Sequence, residues 1–289
     1  MSKMCIKYLV YTASALLAAI APGTRGQAQY YYKDIVVTAQ ISAGYRILKT
    51  NHVTAVHIAP SSDPTLPAGP AVTLNQTVYP AQDLVITYTK APEAGGESWL
   101  KAWYNPAGSL IRTVDSTATV VTRSDYNYDA AGRLSSISSR TESKDNPVET
   151  ETHQWTWKAD GKPARMVKIK NGNDTTYAAF EPDEKGNPGE EKVSRNRYSL
   201  GSTFYYYDEQ NRLTDVARYN KSAKRILPDY MFEYNDAGQL SQTIIVPEGS
   251  NEYQIWRYTY SDNGLKRQDA CYNKQKQLIG KVDYTYDTK

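Results

Sequence analysis

From Trp103 onward the chain repeats one phrase: an aromatic, any residue, a second aromatic, Asp or Asn, two residues, Gly or Asn, one residue, then an apolar residue. Its fullest copy is Tyr126-Asn-Tyr128-Asp129-Ala-Ala-Gly132-Arg-Leu134. Close copies run Tyr205 to Leu213 and Phe232 to Leu240. The second aromatic, or its replacement, falls at Tyr104, Tyr128, Trp157, Pro182, Tyr207, Tyr234, Tyr260 and Tyr286, with spacings of 24, 29, 25, 25, 27, 26 and 26 residues. A near-constant period of this size means a repeat architecture, each unit one supersecondary element that needs its neighbours.

The phrase has the chemistry of a hairpin. Aromatics at i and i+2 share one face of a strand. The Asp or Asn that follows bonds its own backbone and starts a turn. Gly three residues later meets the positive φ of a type I turn with a G1 bulge, and Asn211 is the usual substitute in that conformation. The spacing predicts positive φ at Gly108, Gly132, Gly161, Gly186, Gly238 and Gly264. About 26 residues hold two strands and two short turns.

Residues 1–29 read as a signal peptide. Lys3 and Lys7 precede an apolar run from Tyr8 to Ala21, and Gly26-Gln-Ala28 suits signal peptidase. The run is short for a membrane span, so no stable span is expected after cleavage. Its removal takes three basic residues and no acidic one, so 34 basic residues become 31 against 31 acidic ones. A mature chain near neutrality gives no support to nucleic-acid binding. Residues 30–289 then form one domain, with 30–51 as an N-terminal helix region and 99–289 as the clear repeats. Val37, Ile41, Gly44, Tyr45 and Leu48 fall at helical spacing, with Thr38 and Asn51 as caps. That helix is expected to pack on the first strands.

The phrase Tyr-x-Tyr-Asp-x-x-Gly-Arg-Leu resembles the YD-repeat, or RHS-type, family over about two-thirds of the chain. The resemblance is to short secreted bacterial members. It implies a β scaffold and an association with cell surfaces and glycans. Large members are similar to shells that enclose a C-terminal toxin. Here the repeats run to Asp283-Tyr-Thr-Tyr286-Asp with no Asp-Pro-x-Gly signature, so toxin delivery is not expected.

Templates for catalysis are missing from the sequence. No His-Glu-x-x-His, Gly-x-Ser-x-Gly or phosphate-binding Gly-rich loop occurs. His52 and His57 are five apart, on opposite faces of a strand, and His153 has no ligand partner in sequence reach, so neither a metal nor a cofactor is expected. The turn carboxylates Asp129, Asp183, Asp208 and Asp287 are explained by turn geometry, and Glu190 and Glu191 read as solvated beside a Gly-Pro loop. Cys271 is the only cysteine beyond the signal segment and reads as a buried thiol.

The expected fold is therefore all-β: a long antiparallel meander of 16 to 18 strands in repeated hairpins, forming a curved open sheet or a barrel-like shell, with one N-terminal helix. The expected function is an exported, non-enzymatic binding or structural protein of the periplasm, cell surface or medium. A carbohydrate-active enzyme and an outer-membrane β-barrel are the alternatives. Twenty-three tyrosines beyond the signal segment and five tryptophans are the unusual resource. Flat aromatic faces suit sugar rings, with nearby polar groups fixing orientation. The face predicted to contact a glycan or cell-surface protein carries Trp155, Trp157 and Trp256, with His153 and Gln254 beside them.

Overall fold

The computed structural model describes residues 30–61, 72–91, 96–247 and 252–289; the expected signal peptide lies outside them. Among the described residues, one α-helix, α1 (Lys33–Thr50), leads into eighteen strands. They are β1 (Val53–Pro60), β2 (Thr73–Tyr79), β3 (Leu84–Ala91), β4 (Gly96–Tyr104), β5 (Leu110–Thr117), β6 (Val120–Tyr128), β7 (Leu134–Ser143), β8 (Glu149–Trp157) and β9 (Pro163–Lys170). They continue as β10 (Asp174–Pro182), β11 (Pro188–Arg195), β12 (Tyr198–Tyr207), β13 (Leu213–Asn220), β14 (Arg225–Tyr234), β15 (Leu240–Ile245), β16 (Gln254–Tyr260), β17 (Lys266–Tyr272) and β18 (Leu278–Thr288). Each strand pairs antiparallel with the next, and β1 pairs with both β2 and β18. The sheet is thus a closed barrel. Closure removes every free edge, the condition that an outer-membrane barrel requires and an open scaffold does not.

Every expected turn glycine has positive φ: Gly108 77°, Gly132 75°, Gly161 81°, Gly186 81°, Gly238 77° and Gly264 82°, with Asn211 at 59°. The Asp129 turn shows why the phrase is written as it is. The Asp129 N–H donates to the Arg133 carbonyl, Gly132 N–H donates back to the Asp129 carbonyl, and the Asp129 carboxylate accepts from Ala131 and Arg133 N–H. Arg133 then pairs with the same carboxylate and lies over the Trp157 ring.

The second aromatic has its own task. Pairing slips by one residue at this position in β4, β6, β8, β12, β14 and β16. Past the slip, the side chain reaches across to the first carbonyl of the preceding strand. Tyr128 donates to Leu110, Trp157 to Leu134, Tyr207 to Pro188, Tyr234 to Leu213, Tyr260 to Leu240 and Tyr286 to Lys266, at 2.6–2.9 Å. These six latches run along one rim of the barrel. Two repeats depart from the pattern for visible reasons. Pro182 has no donor, and Tyr104 instead stacks on Tyr45 of α1 with centroids 3.8 Å apart.

The slip also sets the core. Residue one and residue four of each strand after the turn both face inward: Leu110 and Thr113, Leu134 and Ile137, Pro163 and Met166, Leu213 and Val216. The inner face carries the hydrophobic cluster, with Tyr126, Phe180, Tyr205 and Trp256 among its aromatics.

The helix does not lie on the outside of the first strands, as its pattern suggests. Its ends touch opposite walls. The N-terminal end meets β8, β10, β11, β12 and β14 through His153, Phe180, Glu191, Tyr205 and Tyr230. The C-terminal end meets Asp83 after β2, Tyr104 at the end of β4, and the turn after β16. In a ring of eighteen, β11 and β2 are nine strands apart, half the circumference. Eighteen helical residues span about 27 Å, so α1 crosses the barrel at the rim that carries the latches. Thr38 is buried mid-helix and is not its cap; Asn51 is the C-cap, as expected.

Candidate functional site: a helix seated by buried charge

At the N-terminal seat, Glu191 of β11 is fully buried. Its carboxylate accepts the Tyr31 and Tyr32 N–H groups at 3.0 Å and the Tyr205 hydroxyl at 2.6 Å. Helix α1 has no side-chain cap of its own. The opposite wall supplies one: an anion placed where the helix dipole is positive and its first N–H groups are unpaired. Burial pushes the Glu191 carboxyl above its ordinary range, against the pull of those three donors. The expectation of a solvated Glu191 is corrected here. It occupies residue four after a turn, the inward position.

One turn further along, Asp34 at 3% exposure accepts from His153 Nδ1 at 2.6 Å. His153 Nε2 meets Glu151 at 3.1 Å, and Glu151 meets Lys168 Nζ at 2.7 Å. Tyr31 lies edge-on to the imidazole. Burial works to neutralise His153, but the carboxylates of Asp34 and Glu151 outweigh it and raise its pKa to about 9. Burial likewise opposes Glu151, yet His153 and Lys168 hold it down at about 2. Both imidazole nitrogens are occupied, so His153 has none left to accept a proton from a substrate. The chain Asp34–His153–Glu151–Lys168 fastens the helix to the wall.

The C-terminal seat is lighter. Tyr45 hydroxyl and Lys49 Nζ both bind Asp83, at 2.8 and 2.6 Å. Leu110 N–H donates to Ser42 Oγ, and Asn51 reaches the Asn263 carbonyl. Gly108 passes so close to α1 that a Cβ there would sit 2.6 Å from Arg46 Cγ.

The predicted aromatic platform does not form. Trp155 and Trp256 point into the barrel at 5% and 1% exposure, which corrects the expectation that they present rings to a ligand. Trp157 is spent on its latch and on Arg133. Gln254 is buried, within reach of the Trp256 indole N–H at 3.4 Å. His153 is a helix anchor. Cys271 is wholly buried, as expected. Among the described residues no group of three His, Cys, Asp or Glu side chains is placed to hold a metal.

Charged pairs stand among the outward-facing side chains, beside exposed apolar ones such as Ile111, Val121, Leu200 and Tyr219. Arg112 pairs with Asp125, Arg140 with Glu142, Lys90 with Glu97, and Lys192 with Glu190. On β14–β16, Gln242 donates to Glu233 and Arg257 donates to Gln242; on β17–β18, Gln268 donates to Asp283. These residues sit mid-strand, not only at the rims.

No family model matches the chain, and no curated protein matches it. Several solved structures align with it at low similarity. A porin-like protein from Bacteroides uniformis aligns over 82% of this chain and 97% of its own, at 12% identity and a TM-score of 0.38. The Tc holotoxin pore of Photorhabdus luminescens aligns over 72% of this chain and 14% of its own, at 12% identity and 0.25. A TcdB2–TccC3–Cdc42 structure aligns over 78% and 17%, at 10% and 0.22. At these values the likenesses carry no argument about activity.

Proposed function

We propose that the protein is an exported, non-enzymatic scaffold of the YD-repeat type: a barrel that stands in water, is braced by its own N-terminal helix, and offers a rigid outer wall to a glycan or protein in the cell envelope or outside the cell. The observation that carries this reading is the charged outer wall. In a bilayer each midplane Arg or Lys on the lipid face costs about 2–4 kcal/mol. Arg112, Arg140, Lys192 and Arg257 all face outward from the strands. A lipid-facing wall needs an uninterrupted apolar band, and the Glu233–Gln242–Arg257 ladder breaks it. Asp34, Glu151, Glu191 and His153 are engaged in holding α1, which supports a structural role for them.

A second reading, an outer-membrane barrel, is favoured by closure itself and by the even strand number. Detergent phase partitioning of the exported protein separates the two. The water-standing barrel enters the aqueous phase and leaves the cell envelope without detergent. Recovery only in the detergent phase would overturn the proposal in favour of the membrane barrel.

A further inference from the structure

Two tryptophans, Trp99 and Trp103, face outward on β4. Alternation fixes this: Ala102 and Tyr104 are buried, while Trp99 is 40% exposed and Trp103 is partly exposed. Trp103 forms one wall of a surface groove of about 450 Å³, lined also by Ile111, Arg112, Asp125 and Asn127. Direct cross-strand pairing builds the row, with Trp103 opposite Arg112 and Arg112 opposite Asp125. Asn127 is held by donating to Ser136 Oγ. Trp99 lies four residues from Trp103 on the same face, about 13 Å along the strand, and packs against Tyr88 with centroids 5.2 Å apart.

We infer that the outer wall of β3–β6 is a binding site for an extended, uncharged oligosaccharide. The inference rests on the water-standing reading, since lipid would cover this wall. Two indole faces on one side offer apolar surface to the C–H faces of sugar rings. Their separation exceeds one ring, so a chain of several sugars is needed to engage both. Arg112 and Asp125 neutralise each other and keep donors and acceptors free at 52% and 39% side-chain exposure. That pair, with the Asn127 amide, bonds hydroxyls in either sense without favouring an acidic sugar. Such edges set orientation while the indoles supply contact area.

Affinity electrophoresis of the purified protein in gels containing xylan, amylopectin, mixed-linkage β-glucan or soluble N-acetylglucosamine polymer tests this, with polygalacturonate as the acidic control. The expected result is retardation by at least one neutral polymer, weakened at least tenfold in Kd by Trp103→Ala and by Trp99→Ala. The circular dichroism and melting temperature of these variants stay unchanged. Arg112→Lys, which keeps charge but loses the planar fork, provides a variant with no cavity to fill and should weaken retardation by a smaller factor. An aqueous, folded protein that no neutral polymer retards overturns the inference and leaves the scaffold reading standing. Retardation unaffected by either Trp variant also overturns it. A protein recovered only in detergent overturns both together.

Discussion

Replacing Glu191 by Gln probes the helix seat with almost no change in shape. In the native protein one carboxylate serves three donors: the Tyr31 and Tyr32 N–H groups and the Tyr205 hydroxyl. Glutamine has a single acceptor oxygen. Placed where Oε2 lies, that oxygen still meets the Tyr31 and Tyr32 N–H groups and the Tyr205 hydroxyl, and its NH₂ takes the place of Oε1, which faced only Tyr31 N–H. Three charge-assisted hydrogen bonds then become neutral ones, each weaker by about 1 kcal/mol. Loss of the anion from a helix N-terminus removes roughly a further 0.3–1 kcal/mol. Relief from burying a charge acts the other way, and its presence is visible in the raised Glu191 carboxyl. The net expectation is a loss of about 2–4 kcal/mol. Urea denaturation followed by tryptophan fluorescence gives this number. Limited trypsinolysis under native conditions adds location, because Lys33, Arg46 and Lys49 lie in α1. Cleavage at these residues should appear in the variant before the strands are cut. A variant within about 0.5 kcal/mol of wild type, with α1 still protected, would show that the carboxylate does not hold the helix.

Stability should also depend on pH at both extremes. His153 is raised to about 9, so its share is fully present below its unfolded value near 6.5 and is lost as pH climbs through about 9. Glu151 is lowered to about 2, so its share is present above the unfolded value near 4.5 and is lost as pH falls through about 2. Melting temperature against pH checks both, and His153→Gln should flatten the alkaline limb. Removing one latch with Tyr234→Phe should cost about 1 kcal/mol, and Tyr128→Phe on the far side should add to it without coupling. Equilibrium denaturation of the singles and the double measures this. Gly132→Ala meets open space, so only its φ of 75° is penalised, by about 1–2 kcal/mol. Gly108→Ala, which also collides with Arg46, should lose more in the same assay.

The hairpins, their turns and the strand number were legible because each is written in local chemistry. Asp129 and Gly132 specify their turn by bonds that span a few residues. Barrel closure was not legible in that way. It depends on β1 entering between β18 and β2, and no local signal in Val53–Pro60 says which two strands it will join. The helix pattern at Val37, Ile41 and Tyr45 was read correctly as one buried face, but the same face serves a surface helix and one crossing a barrel. The aromatic site went astray because alternation groups Trp155 with Trp157 without saying which face lines the interior, and in the barrel Trp155 and Trp256 point inward. Glu191 was within reach. Aligning the repeats on residue four after each turn gives Thr113, Ile137, Met166, Glu191, Val216, Thr243 and Asp269, all buried. An acidic residue in that row signals a buried partner: α1 and Tyr205 for Glu191, Lys266 and Tyr284 for Asp269.

The pairing of β1 with β18 also governs when the molecule can form. Val53 lies opposite Thr288, nearly the whole described length away along the chain. Until β18 has emerged, β1 has only β2 beside it, and two raw edges face solvent. Neighbouring hairpins can form early, since their contacts are local, but the ring waits for its most distant pair. The entropy of joining ends so far apart grows only slowly with length and does not forbid the step; what it imposes is order. A chain that cannot complete its ring until β18 is available keeps its sheet open while it is being made, and closes only in a last step.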